Sequence, residues 1–352
     1  MSEVLIPTVD LERYQWERER GRPLSDETLR DCGIAAQAFV ELGVCNVRDP
    51  RFPKELDSAY QRATAEIFAL PDAVKHGRFR RADLHHQVDW TPELVEQARD
   101  HTELIEREIS AEHRPLPWPV QDLKERIFVP APDNERPEQT AFPGLNQPCA
   151  LIDAYPEWGA CAVLWRGHML QAITTFVEML AIGLDAPPDI FTRLMRCAPH
   201  LLAPTGTNVR RFGRPGAVWA KFHYDFNLVT GHGKANLPGL YAWTRDWRRF
   251  PVRVPQDCFL MQAGKQLWWL TGGRIMYGFH EVVCREEMMD AVRAFLAAGN
   301  DWRVTSTVFA HVASDQWLEV LPPFRRVSPD LSAFPRVQAG QMSYDEIKAI
   351  GL

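Results

Sequence analysis

The sequence predicts a mainly β protein with flanking helices, in which an antiparallel barrel or sandwich fills the C-terminal half. Three observations carry this. From about residue 200 onward, short runs rich in β-branched and aromatic residues alternate with turn residues: TNVRRFG, AVWAKFHYDFNLVTG, GLYAWT, FPVRVP, CFLMQAG, LWWLTGGRIMYGFHEVV and WRVTSTVFAHV. Such spacing suits strands that reverse every few residues. Upstream the patterns turn helical. One of them, GHMLQAITTFVEMLAIGL (167–184), is so densely apolar that it predicts a buried central helix.

In chain order, LIPTVDL (5–11) reads as an opening strand. SDETLRDCGIAAQAFVELG (25–43) reads as an amphipathic helix, with Ser25 as N-cap and Gly43 at its C-terminal end. VCNVRD follows as a strand, and RFPKELDSAYQRATAEIFALP as a helix that stops before Pro71. PLPWPVQD and VPAPDNERPEQTAFPGLNQP are rich in proline, asparagine and charge, so they read as long ordered loops, placed to cover a site. REEMMDAVRAFLAAG (285–299) interrupts the strands as a helix, and SYDEIKAIGL closes the chain as another. The expected division is an N-terminal α/β region (1–120), loops and the central helix (121–200), a β core (201–325) and a C-terminal helix (326–352), all in one compact unit.

Composition narrows the function. A net charge of −6, a pI near 6.0 and no basic block argue against nucleic acid as a partner. The seven cysteines form no CxxC pair, which argues against a zinc ribbon or a disulfide framework and for buried thiols in a reducing compartment. The first residues lack the basic-then-apolar pattern of a signal peptide, and no apolar run is long enough to cross a membrane. The expectation is a cytoplasmic protein.

The chemistry gathers around KFHYDFNLVT. On a strand, residues two apart share a face, so His223 and Asp225 would present an imidazole and a carboxylate together. Alone, this HxD is also consistent with a hydrogen-bonded pair that holds no metal. His280, in MYGFHEVV, follows the turn signal TGGR and could supply a third donor. Two imidazoles and one carboxylate on one face of a metal leave positions open, as non-haem Fe(II) oxygenation requires. Downstream, Arg303 and Thr305 lie two apart in a β-prone run. A buried arginine needs an anion, and with a neighbouring hydroxyl it makes a carboxylate receptor. A structural carboxylate could also serve as its partner.

At these residues the chain resembles the isopenicillin N synthase-like branch of the Fe(II)/2-oxoglutarate oxygenases, whose pattern is HxD, a distant His, then Arg-x-Ser. Here it reads His223-Tyr224-Asp225, His280 and Arg303-Val304-Thr305. LIPTVDL, TGTNVRRFGRP and AGKQLWWLTGGRIMYGFHEVV extend the likeness. HTELIEREI with PLPWP is similar to the bacterial ethylene-forming enzyme. The chain departs from the pattern at Thr305, which replaces Ser. It departs also at Phe212, where many relatives carry Tyr, and at Arg210, where plant members often have Asn.

The resemblance implies a double-stranded β-helix (jelly-roll) core with N-terminal, central and C-terminal helices around it. It implies Fe(II) on His223, Asp225 and His280, and 2-oxoglutarate held through Arg303 and Thr305. With O₂ as the other cosubstrate, a small polar or amphipathic metabolite would be hydroxylated, desaturated or cyclised, releasing succinate and CO₂. A 2-oxoglutarate-independent oxidase of the same fold, a zinc hydrolase and an inactive binding protein remain as alternatives. Arg210, Phe212, Lys221 and Trp243 are candidates for the substrate pocket, either lining its mouth or belonging to solvated surface and core. His311 is read as structural and His232 as a loop residue.

Overall fold

The computed structural model describes residues 4–117 and 121–351. Trp118–Val120 of the PLPWPVQD loop, and Leu352 of the terminal SYDEIKAIGL segment, lie outside the described residues.

Three sheets enclose one interior. The largest runs Thr8–Asp10, Val44–Arg48, Phe259–Ala263, Val229–His232, Thr307–Ala310, Leu201–Leu202. Its first pair is parallel and the others antiparallel. The two N-terminal strands thus extend a sheet whose other members come from beyond residue 200. A four-stranded antiparallel sheet orders Arg249–Pro251, Leu240–Trp243, His280–Val283 and Val218–His223. A second orders Trp302–Thr305, Thr205–Asn208, Glu125–Phe128 and Asp89–Thr91. This is the expected jelly-roll core, with helices around it.

The helix Asp26–Glu41 starts where its cap predicts, the Ser25 hydroxyl accepting from the Thr28 N–H at 3.3 Å. It ends before Gly43, which adopts φ +68° and packs so closely on Gly278 that an added Cβ would lie 3.1 Å from the Gly278 Cα. The central helix runs Pro156–Gly183 and buries Trp165, Met169, Ile173, Phe176 and Leu180. It starts earlier than its apolar run suggests, because Pro156 is favoured in a first turn. No helix among the described residues is long and apolar enough to cross a membrane.

Three segments differ from their local pattern. LWWL, expected as strand, lies in the helix Lys265–Leu270. The Lys265 and Gln266 N–H groups donate to the Asp225 and Asn227 carbonyls at 2.8 and 3.0 Å, so this helix begins by satisfying the HxD loop. In TNVRRFG the strand stops at Asn208, whose side chain accepts from the Arg211 N–H at 3.1 Å and caps a helical turn, Val209–Phe212. WRVTSTVFAHV divides at Ser306 into strands of different sheets, Trp302–Thr305 and Thr307–Ala310.

Candidate metal centre

His223 ends the strand Val218–His223, and the chain leaves the sheet at Tyr224. Asp225 therefore reaches the same side through the loop that follows, not through strand pleat alone. Its Oδ2 accepts from the Thr230 hydroxyl at 2.7 Å, and Thr230 lies on the next strand, Val229–His232. His280 opens the strand His280–Val283 and sits directly across from His223 in register. Cross-strand partners on one face lie close enough for their side chains to touch, and the two imidazole rings are 4.1 Å apart.

One ligand atom from each of His223, Asp225 and His280 can be chosen so that all lie within 4.8 Å of one another. The His223 Nδ1–H donates to the Lys221 carbonyl at 2.5 Å, which leaves Nε2 as its free nitrogen. The His280 Nδ1 is engaged by the Gly278 carbonyl at 3.1 Å and the Gln262 amide at 2.8 Å, which leaves Nε2 free there too. His223 Nε2 and Asp225 Oδ1 are 3.9 Å apart, too far for a hydrogen bond. The three donors thus converge without satisfying one another, a donor set that fits a divalent metal better than a hydrogen-bonded pair.

Electrostatics agree with that fit. Burial, helped by the neighbouring His280, pushes the His223 imidazole down to about 3, so it is neutral and free to donate its lone pair at neutral pH. Burial alone would raise the Asp225 carboxyl. The His280 and His223 rings and the Thr230 hydroxyl outweigh it and hold the group below the usual carboxylate range.

The triad opens into a cavity that reaches solvent. Arg303 and Thr305 line it together. Arg303 is 4 % exposed, and its Nε donates to the Leu237 carbonyl at 2.9 Å while the guanidinium lies over the Trp219 ring at 5.3 Å. Among the described residues it meets no carboxylate. Burial lowers its pKa to about 10, which leaves it charged at neutral pH. The Thr305 hydroxyl is buried without a hydrogen-bond partner. A desolvated cation and an unpartnered hydroxyl on one strand are groups whose burial an anion would compensate.

The four residues expected at the substrate pocket do not line this cavity. Arg210 is carried outward by the helical turn Val209–Phe212 and pairs with Asp301 at 2.6 Å in solvent. Phe212 packs beside Trp219, whose indole N–H donates to its carbonyl at 3.0 Å. The pairing of Val218–His223 with His280–Val283 shifts register, so that Ala220 and His223 face inward and Lys221 does not. Trp243 is fully buried on the other side of that sheet, against Phe222 and the His113 carbonyl.

Other residues take their place. His232, read as a loop residue, ends the strand Val229–His232 two residues after Thr230 and faces inward with it. Its Nδ1 is 3.3 Å from the Thr307 hydroxyl, and its Nε2 has no hydrogen-bond partner among the described residues. His311, read as structural, follows Thr307 and Phe309 at intervals of two, and all three line the cavity. That alternation was visible in the sequence. Glu96, Arg99, Lys124, Arg126 and Glu346 also line it, from segments with no strand pattern or motif to mark them.

No family model matches this chain, and no curated protein matches it. Solved structures do. A full-length Neurospora crassa protein crystallised in complex with alpha-KG superposes with a TM-score of 0.73 at 14 % identity, covering 99 % of this chain and 97 % of that one. A putative 2OG-Fe(II) oxygenase family protein from Caulobacter crescentus gives 0.72 at 17 % identity, covering 99 % and 100 %. JOX2 in complex with 2OG, Fe and JA gives 0.64 at 14 % identity, covering 99 % and 90 %. At such identities the likeness is one of fold: the chain has the helix-flanked jelly-roll architecture of these proteins along nearly its whole length.

Proposed function

We propose that the protein is a non-haem Fe(II), 2-oxoglutarate-dependent oxygenase that hydroxylates, desaturates or cyclises a small molecule. The observation that carries the reading is a pairing within one cavity. Three converging metal donors share it with a buried Arg303 and a Thr305 hydroxyl that have no anionic partner among the described residues. Neighbouring folds crystallised with alpha-KG, or with 2OG and Fe, support it. The order HxD, His, Arg-x-Thr favours the isopenicillin N synthase-like branch, with a likeness to ethylene-forming enzyme in mid-chain.

In this reading His223, Asp225 and His280 would hold Fe(II), a donor set of two imidazoles and one carboxylate that suits non-haem iron. Iron, with 2-oxoglutarate and O₂, supplies the oxidising chemistry, and succinate and CO₂ leave as by-products. Arg303 and Thr305 grip the distal carboxylate of 2-oxoglutarate, which fixes its orientation. Thr230 holds the Asp225 carboxylate in place, and the Lys221 carbonyl holds the His223 ring. Ile347 and Ile350, from the C-terminal end of the chain, add apolar cover to the cavity. The N-terminal strands that complete the largest sheet favour one working unit over separable domains. Seven free cysteines favour the cytoplasm.

The test is to measure succinate formed against O₂ consumed by the iron-loaded protein with candidate substrates. Succinate in step with O₂ is expected. O₂ uptake without succinate would overturn the 2-oxoglutarate requirement, and activity that persists without O₂ but needs zinc would overturn the oxygenase reading.

A further inference from the structure

Charged side chains lining the cavity are four cations, Arg99, Lys124, Arg126 and Arg303, and four carboxylates, Glu96, Asp122, Asp225 and Glu346. Their pairing is uneven. Arg126 donates to Glu96 at 2.9 Å. Lys124 bridges Asp122 and Glu96, the latter at 3.4 Å. Arg99 lies 3.1 Å from both oxygens of Glu346, which also pairs with Lys265. Asp225 belongs to the metal triad. Among the described residues, Arg303 is the one cavity cation without a carboxylate.

The remaining wall is largely apolar: Phe128, Leu201, Phe226, Phe309, Ile347 and Ile350. Into it project two uncommitted imidazole nitrogens, His232 Nε2 and His311 Nδ1, which can serve as uncharged hydrogen-bonding groups. The cavity reaches solvent, so a second molecule can enter it beside a five-carbon dicarboxylate.

This inference rests on the proposed function, in which 2-oxoglutarate occupies Arg303. Among the described residues no unpaired charge then remains in the cavity for a second molecule. Beside the metal triad, an anionic or cationic substrate would have to break the buried pairs of Lys124 and Arg126, compete for the half-exposed Arg99–Glu346 pair, or stay uncompensated, and each is costly. We propose that the substrate is a neutral, largely apolar molecule carrying an uncharged hydrogen-bonding group, and not an amino acid or an organic acid.

The experiment uses the Fe(II)-loaded chain with saturating 2-oxoglutarate under anaerobic conditions. Three probes of one shape are titrated calorimetrically: 2-naphthylmethanol, 2-naphthoate and 2-naphthylmethylammonium. The alcohol is expected to bind at least about tenfold more tightly than either ion. An ion that binds as tightly as the alcohol, or failure of all three to bind, overturns the proposal.

A second arm replaces Glu96→Gln, which deprives Arg126 and Lys124 of a shared partner, and Glu346→Gln serves if that variant does not fold. Naphthoate binding should then tighten about tenfold relative to the alcohol. Unchanged naphthoate binding shows that pairing does not set the charge preference, and also overturns the proposal. A preliminary titration with 2-oxoglutarate alone separates the two levels. If it does not bind, the proposed function fails; if it binds and an ion is preferred, only the present inference fails.

Discussion

Arg303 shows how a single residue can be legible in type and illegible in partnership. Its spacing from Thr305 put both on one strand face, and the structure places both in the cavity. That no carboxylate among the described residues meets it could be learned only from the assembled interior. Two expectations follow at this scale. Replacing His223, Asp225 or His280 with Ala removes one of three donors, and each change should weaken Fe(II) binding by at least about 100-fold in an anaerobic titration. Normal iron uptake in any of the three would sink the triad. Arg303→Met should leave iron binding intact and weaken 2-oxoglutarate by about 100-fold, with Thr305→Val costing about tenfold. Equal affinity for 2-oxoglutarate in Arg303→Met would mean that the guanidinium serves another ligand. Lys221 and Arg210 carried no comparable signal. Both are cations near the motif, and a shifted register and a capped turn decided that neither faces inward.

Among the elements, the central helix is fixed most tightly by a contact that its own sequence does not announce. Gly183 ends it against the helix Asp26–Glu41, where an added Cβ would stand 2.0 Å from the Cys32 carbonyl oxygen. Backbone cannot yield there as a flexible side chain could. Gly183→Ala should therefore destabilise the chain by about 2–3 kcal/mol, seen as a lower Tm, while the folded fraction still takes up iron. An unchanged Tm would show that the two helices can slide apart at no cost. The helix Lys265–Leu270 teaches a related lesson. LWWL is β-prone by composition, yet the carbonyls of Asp225 and Asn227 receive the N–H groups of Lys265 and Gln266 just before it, and that tertiary hydrogen bonding starts a helix against local preference.

For the whole molecule, the interior's store of neutral imidazoles sets its response to acid. Burial pushes His200 and His223 down to about 3 and His232 and His311 down to about 4. The unfolded chain would bind protons on all four below the ordinary histidine value near 6.5, while the folded chain would not. Stability of the metal-free protein is therefore full above pH 6.5 and declines as pH falls from there toward 3, each group contributing at most about 1.4 kcal/mol per pH unit. Thermal unfolding should show a clearly lower Tm at pH 5 than at pH 7.5, and a flat profile over that range would contradict the burial of these rings.

The sequence by itself determined the site's donor types and their order, the jelly-roll class, the capped helix after Ser25 and the buried central helix. Each depends on residues close together in the chain or on short periodicities of two and 3.6, which a sequence carries openly. Tertiary structure decided the rest. It split WRVTSTVFAHV at Ser306 between two sheets, turned His232 inward, and brought Glu96, Arg99, Lys124, Arg126 and Glu346 to the cavity wall. These outcomes depend on pairings between segments far apart in the chain. A sequence names the charges but not their partners, and among the described residues only the assembled cavity shows that Arg303 is the cation left without a carboxylate.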